Sequence, residues 1–290
     1  MIRPRLLAGT LLGVALWYTP CAGAQVESSL AERLRGMRVA AHRGGYWHPD
    51  SNTLSRFDTA RRQGADIVET DIRLSRDGIP IVFHDDDLRP QTSCAGPVGA
   101  RTMNELDACH LTGSTHGPET FESVLAWSHG RIVIDAELKE PEVAEPAVEL
   151  VRRFGAYEWV YFQTGNNVAL YRAVRSLDPR VAIEATPRGR HADTQLADLL
   201  AARDARLLII QLHPELATPR NLMLIRQSGK LSSMDAWRFG TEYARPFWPF
   251  SRTAACAAVF AAGIDIAISN DPLSCAEQRD ELALGAPPGR

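Results

Sequence analysis

Short apolar, β-rich runs alternate along the chain with stretches of helical periodicity. The runs begin near Arg38, Asp66, Ile79, Arg131, Glu158, Val181, Arg206, Lys230 and Ile264. Strands separated by helices pair in parallel, because each crossover returns the chain to the same edge. Ile79–Phe83 breaks the pattern: only Ser75-Arg76-Asp77-Gly78 separates it from Leu74. That is too short for a crossover, so the run is expected to fold back as a hairpin at the mouth of the sheet. Eight parallel strands remain. With 290 residues in all, the length suits one (β/α)8 TIM barrel of about 250 residues. Helices are expected near Phe121–Ser128, Pro141–Phe154, Asn166–Ser176, Thr194–Ala202, Pro219–Gln227, Arg252–Ala262 and Ser274–Leu284. The first helix is capped by Ser51 or Asn52, carries Leu54, Phe57 and Ala60 as its apolar stripe, and ends at Gly64. Asp86–Glu119 reads as one long irregular segment, a small capping insertion after the second strand. No second domain is expected.

The N-terminus has a different grammar. Arg3 and Arg5 precede an apolar stretch from Leu6 to about Tyr18, then Pro20 and the small-residue site Ala22-Gly23-Ala24. The stretch is shorter than the roughly 20 apolar residues of a membrane span. Residues 1–24 therefore read as a secretory signal and 25–290 as the mature domain, periplasmic or secreted and without a membrane anchor. Of the 5 cysteines, Cys21 leaves with the signal. In an oxidising compartment the others are expected to pair as neighbours, Cys94 with Cys109 and Cys256 with Cys275. No close Cys/His spacing suggests zinc. A formal net charge of −3 without a basic block argues against a nucleic-acid partner, and no protein partner is implied.

Polar clusters close several of these strands. His42-Arg43-Gly44 follows the first, Glu69-Thr70-Asp71 lies in the second, and His84-Asp85 follows the hairpin. Side chains alternate along a strand, so Glu69 and Asp71 share a face roughly 6–7 Å apart at Cα. Two carboxylates so close disfavour each other's ionisation, and a divalent cation removes that penalty. In Arg131–Lys139 the same alternation sets Asp135, Glu137 and Lys139 on one side, suiting a hard cation and a phosphate oxygen. Taken singly, each cluster also suits a surface ion pair. Together with two histidines they suit acid–base chemistry on a metal-bound anion.

With these motifs in hand, the chain resembles the glycerophosphodiester phosphodiesterase family. The resemblance is carried by HRG at 42–44, Asn52-Thr53, GADIVETDIRLSRDGIPIVFHD at 64–85, PETFESVL at 118–125, DAELK at 135–139 and AGIDIAISNDP at 262–272. It implies His42 and His84 as the catalytic histidines and Glu69, Asp71 and Glu137 as ligands of one divalent cation, Ca²⁺ or Mg²⁺. Arg43 and Lys139 would lie near the phosphate. It also implies attack by the glycerol hydroxyl beside the phosphate, giving a cyclic phosphate that water opens. The expected activity is release of glycerol 3-phosphate and an alcohol from a small glycerophosphodiester. A lysophospholipase D or phospholipid lyase with the same centre is the alternative, and a catalytically silent phosphodiester-binding barrel a third reading. The chain departs from the family at Pro49-Asp50-Ser51-Asn52-Thr53, one residue longer than Pro-Glu-Asn-Thr, at Phe162-Gln163-Thr164 and at Met234–Arg238.

Several residues admit two readings. Trp237 could stack on a choline or glycerol portion or be buried. His48 could line the mouth. The aromatic run Tyr243–Phe250 could rim the pocket, pack internally, or touch lipid. His110, His116, His129, His191 and His213 read as solvent-facing or structurally hydrogen-bonded.

Overall fold

The computed structural model describes residues 29–45, 50–89, 91–238 and 255–285. Its sheet closes on itself. Strand β1 (Arg38–Ala41) pairs in parallel with both β2 (Ile67–Leu74) and β9 (Ile266–Ser269). The circuit continues through β4 (Val133–Leu138), β5 (Val160–Gln163), β6 (Ala182–Ala185), β7 (Leu207–Gln211) and β8 (Leu231–Asp235), each parallel to its neighbours. The ninth strand, β3 (Pro80–Val82), lies antiparallel on β2, as the short connection requires. The result is an eight-stranded parallel TIM barrel with a hairpin at its rim.

Alternation sorts the side chains as the sequence implies. Val68, Ile72, Ile134 and Phe162 point outward and pack with Val148 and Val151 of the helix Ala144–Phe154. Ala40, Ile67, Val133, Ala182, Ile209 and Ile266 fill the lower interior with Leu30 and Leu34. Those leucines come from the helix Leu30–Arg33 and its C-cap, whose N-terminus carries a Ser29–Glu32 capping box. Leu30 N donates to Glu158 Oε2 at 2.7 Å and Arg33 Nη2 to the Gly130 carbonyl at 2.8 Å, tying this plug to the loops that enter β5 and β4. Burying each leucine contributes about 1.5–3 kcal/mol. Interior polar residues are thus confined to the upper, C-terminal end.

Two local expectations are corrected. The first long helix, Leu54–Arg62, is capped by Thr53, whose hydroxyl accepts from Arg56 N, rather than by Ser51 or Asn52. Asn52 has φ 62° and turns its amide toward the barrel instead. The 86–119 insertion is not irregular throughout. It holds a helix, Met103–Asp107, with a Thr102–Glu105 capping box, and an apolar cluster in which Leu88, Val98 and Leu106 pack on Ile81 and Phe83. Disulfides join Cys94 to Cys109 within the insertion and Cys256 to Cys275 between the last two helices. Among the described residues, no helix is long and apolar enough to cross a membrane.

Candidate active site

The turn after β1 builds the first wall of the site. Arg43 adopts a left-handed φ of 52°, a conformation costing a non-glycine residue about 1 kcal/mol that persists where surroundings enforce it. The enforcement is visible: Arg43 N donates to Glu69 Oε2 at 2.8 Å, and Asn52 N donates to the Arg43 carbonyl at 2.9 Å. Gly44, also left-handed, lies so close to the helix Leu54–Arg62 that a Cβ would stand 2.8 Å from Phe57. The backbone thus presses the His42-Arg43 turn against the carboxylates of β2.

Those carboxylates meet Glu137 because β2 and β4 pair in register, Glu69 opposite Asp135 and Asp71 opposite Glu137. One oxygen from each of Glu69, Asp71 and Glu137 lies within 4.8 Å of the other two. Lys139 Nζ stands 2.7 Å from both Asp71 Oδ1 and Glu137 Oε2, and Arg43 Nε 3.1 Å from Asp71 Oδ2. Asn52 Nδ2 donates to Asp71 Oδ2 at 2.8 Å. Burial raises the pKa of Asp71, but Lys139 and Arg43 outweigh it and hold the carboxyl below the usual range. Lys139 is held above its usual value by Asp71 and Glu137, against the opposing effect of burial.

Glu69 is the unbalanced member. Burial, then the charges of Asp71 and Glu137, push its carboxyl well above the ordinary range despite Arg43 and Lys139. A buried carboxylate in excess of its cations is the condition that a hard divalent ion relieves. Three mutually close oxygen donors with no cysteine or histidine among them fit Ca²⁺ or Mg²⁺ better than zinc.

Both histidines are oriented through Nδ1. His42 Nδ1 lies 2.6 Å from Asn270 Oδ1, an acceptor, so the hydrogen sits on Nδ1 and Nε2, 3.9 Å from Glu69 Oε2, presents a lone pair when the ring is neutral. Burial, then the charge of Arg43, lowers its pKa to about 4. Trp237 packs on the ring, centroids 4.6 Å apart. His84 Nδ1 lies 2.7 Å from Asp85 Oδ1, and Gln91 Nε2 donates to Asp85 Oδ2 at 2.8 Å. Gln91 belongs to the insertion, which therefore braces the His84 side of the mouth. Arg73 fixes the same corner, donating from Nε to the His84 carbonyl at 2.9 Å and pairing with Glu140.

The histidines, Glu69, Glu137, Arg43 and Lys139 face a cavity of about 610 Å³, while Asp71 is fully buried behind Arg43 and Lys139 and does not line it. His42, Arg43, Glu69, His84, Glu137 and Lys139 line one side; Gln163, Arg188, Gln211, Asp235 and Arg238 line the side formed by the ends of β5 to β8. Trp237 lines it too while being 9% exposed, so the buried reading holds and one edge of the ring borders the cavity. His110, His116, His129 and His191 are exposed and lie away from the cavity, while His48 and Tyr243–Phe250 lie outside the described residues. Asn52, Asp85, Gln91 and Asn270 have roles the residue patterns did not single out. Asn270 was within reach of the alternation rule, since Ile266 and Ile268 point inward and Asn270 continues their face. Gln91 carries no such signal.

Comparison with known proteins agrees with this geometry. A Bacillus subtilis protein bearing the glycerophosphodiester phosphodiesterase name is 36% identical over 110 residues, 36% of this chain and 45% of its own length. A namesake from Caldanaerobacter subterraneus is 27% identical over 157 residues, 50% of this chain and 64% of its own. The chain spans about half the length of the curated relatives it matches. Among solved structures, a glycerophosphoryl diester phosphodiesterase from Parabacteroides distasonis superposes with a TM-score of 0.72 at 21% identity, covering 90% of this chain and 94% of that one. An Oleispira antarctica phosphodiesterase in complex with the product sn-glycerol-3-phosphate gives 0.68 at 20% identity, covering 84% and 97%. At such identities these likenesses establish the shared barrel. The glycerophosphoryl diester phosphodiesterase family model matches residues 42–216, from the first site histidine to just past β7, and with that match over most of the barrel the chain belongs to this family.

Proposed function

We propose that the chain is an exported, metal-dependent hydrolase that cleaves glycerophosphodiesters to glycerol 3-phosphate and an alcohol. The observation that carries the reading is the convergence on one cavity of two Nδ1-anchored histidines with Glu69 and Glu137, which cluster with the buried Asp71. A divalent cation held by Glu69, Asp71 and Glu137 would neutralise phosphate charge. Arg43 and Lys139 add fixed positive charge beside it. One imidazole takes the proton of the substrate's adjacent glycerol hydroxyl as that oxygen bonds to phosphorus. The other gives a proton to the alcohol oxygen as its bond to phosphorus breaks. The roles then exchange: water adds to the cyclic phosphate and the ring opens. The product named with the Oleispira antarctica structure supports glycerol 3-phosphate as the product here.

The insertion braces His84 through Gln91 and Asp85; a rigid cap on that side would narrow the mouth and favour small, water-soluble diesters over lysolipids. Assaying glycerol 3-phosphate release from glycerophosphocholine, -ethanolamine and -glycerol, beside alcohol release from lysophosphatidylcholine, tests both points. A higher kcat/KM for glycerophosphocholine than for lysophosphatidylcholine is expected. No glycerol 3-phosphate from any diester would sink the activity, and a clear lysolipid preference would replace it with the lysophospholipase D reading. Export rests on the signal-like residues 1–24, outside the described residues. N-terminal sequencing of the periplasmic or secreted protein should begin at Gln25, and an intact Met1 there would count against cleavage.

A further inference from the structure

The cavity has two walls of different chemistry, and only one is used by the proton transfers above. On the opposite wall the deep positions are neutral or internally satisfied. Gln163 donates to Glu184 at 3.2 Å, and Gln211 donates to Asp235 at 3.0 Å while accepting from Thr186 at 2.8 Å. These amides suit hydroxyl groups. At the rim stand two guanidiniums, both exposed: Arg188, after β6, and Arg238, after β8. Arg238 is steered by Asp235, whose Oδ2 accepts from its Nε at 2.5 Å. Among the described residues, no carboxylate lies within 4 Å of the Arg188 side chain. His213 stands beside Arg238, its Nδ1 3.5 Å from Arg238 Nη1; burial, then the charges of Arg238 and Arg188, lower its pKa against Glu215 and Asp235. Both arginines line the same cavity, where Asp235 pairs with Arg238; Glu215, the other carboxylate near His213, does not line it.

We infer that Arg188 and Arg238 form a second anion subsite, which selects glycerophosphodiesters whose alcohol portion carries a phosphate monoester. The inference rests on the phosphodiesterase reading above. With the diester phosphate beside Lys139 and Arg43 and the glycerol hydroxyls on the buried amides, the outgoing alcohol lies toward the rim. A phosphate offers three oxygens to two planar forks, a match that a single ammonium or hydroxyl cannot make. A trimethylammonium head group is placed against like charge.

The test compares kcat/KM for glycerophosphoglycerol phosphate, glycerophosphoglycerol and glycerophosphocholine in the full-length enzyme and in Arg188→Gln and Arg238→Gln. The phosphate-bearing diester should be preferred over glycerophosphoglycerol on the order of tenfold, since a charge-assisted contact of this kind is worth that much or more. Each substitution should pull the ratio toward one and raise the relative rate on glycerophosphocholine. Because the readout is a ratio between substrates, partial loss of folded protein does not move it. A wild-type ratio at or below one, or a ratio unchanged in both variants, overturns the subsite while leaving the phosphodiesterase reading intact. Absence of hydrolysis on all three diesters overturns that reading and the subsite with it.

Discussion

His42→Ala and His84→Ala should each lower kcat by about 10²–10⁴-fold while leaving the barrel folded. Both bond changes at phosphorus need a proton moved, and each imidazole is held by a partner on Nδ1 that directs Nε2 elsewhere. His84 is partly exposed and His42 meets the apolar interior through the Trp237 ring, so truncation should cost little stability. The braces should show a graded effect. Asn270→Leu removes the acceptor from His42 and Gln91→Leu removes the donor to Asp85, and each should cost roughly 10–100-fold, the scale seen when an orienting partner is lost. Circular dichroism and thermal melting separate folding from chemistry. Near-wild-type turnover in either histidine variant, on every glycerophosphodiester tried, would remove that residue from the mechanism.

The barrel was legible because its signals are local and repeated. Apolar alternation set the inner and outer faces of β2 and β4, and a connection of Ser75 to Gly78 ruled out a parallel neighbour. The helix Phe121–Ser128 falls where periodicity put it. What escaped depended on tertiary choice or on a weak signal passed over. Asn52 is as good a cap as Thr53 in isolation, yet its amide donates to buried Asp71 while its oxygen accepts from Thr70, so the cap falls to Thr53. The helices Leu30–Arg33 and Met103–Asp107 each begin with a Ser/Thr-x-x-Glu capping box that the sequence displays plainly. They are shorter than periodicity can detect. Within the site, strand residues were recoverable from alternation, whereas Gln91 and Arg188 come from loops and Arg238 from the single 3-10 turn after β8, whose courses no local rule fixes.

Removing divalent metal should abolish activity, and the size of the loss follows from the charges in the cluster. A cation stabilising the transition-state charge contributes several kcal/mol. About 4 kcal/mol corresponds to roughly a thousandfold in rate. Calcium or magnesium added back after chelation should restore turnover. The same ion should stabilise the fold, because it binds where Glu69, Asp71 and Glu137 crowd one another. At a concentration about 100-fold above Kd the gain is about 2.7 kcal/mol, a rise in Tm of roughly 5–11 °C for a domain of this size. Glu69→Gln should lose both the activity and the metal-dependent rise. Lys139→Met separates a ligand from a rival cation. Lys139 bridges Asp71 and Glu137, so removing its charge should leave metal affinity equal or higher while kcat falls for want of the phosphate contact. Isothermal titration with Ca²⁺ and Mg²⁺, run beside kinetics on both variants, reads these effects separately. Full turnover by exhaustively metal-free protein would refute a catalytic cation, and weaker metal binding in Lys139→Met would show that the lysine supports the ion rather than competing with it.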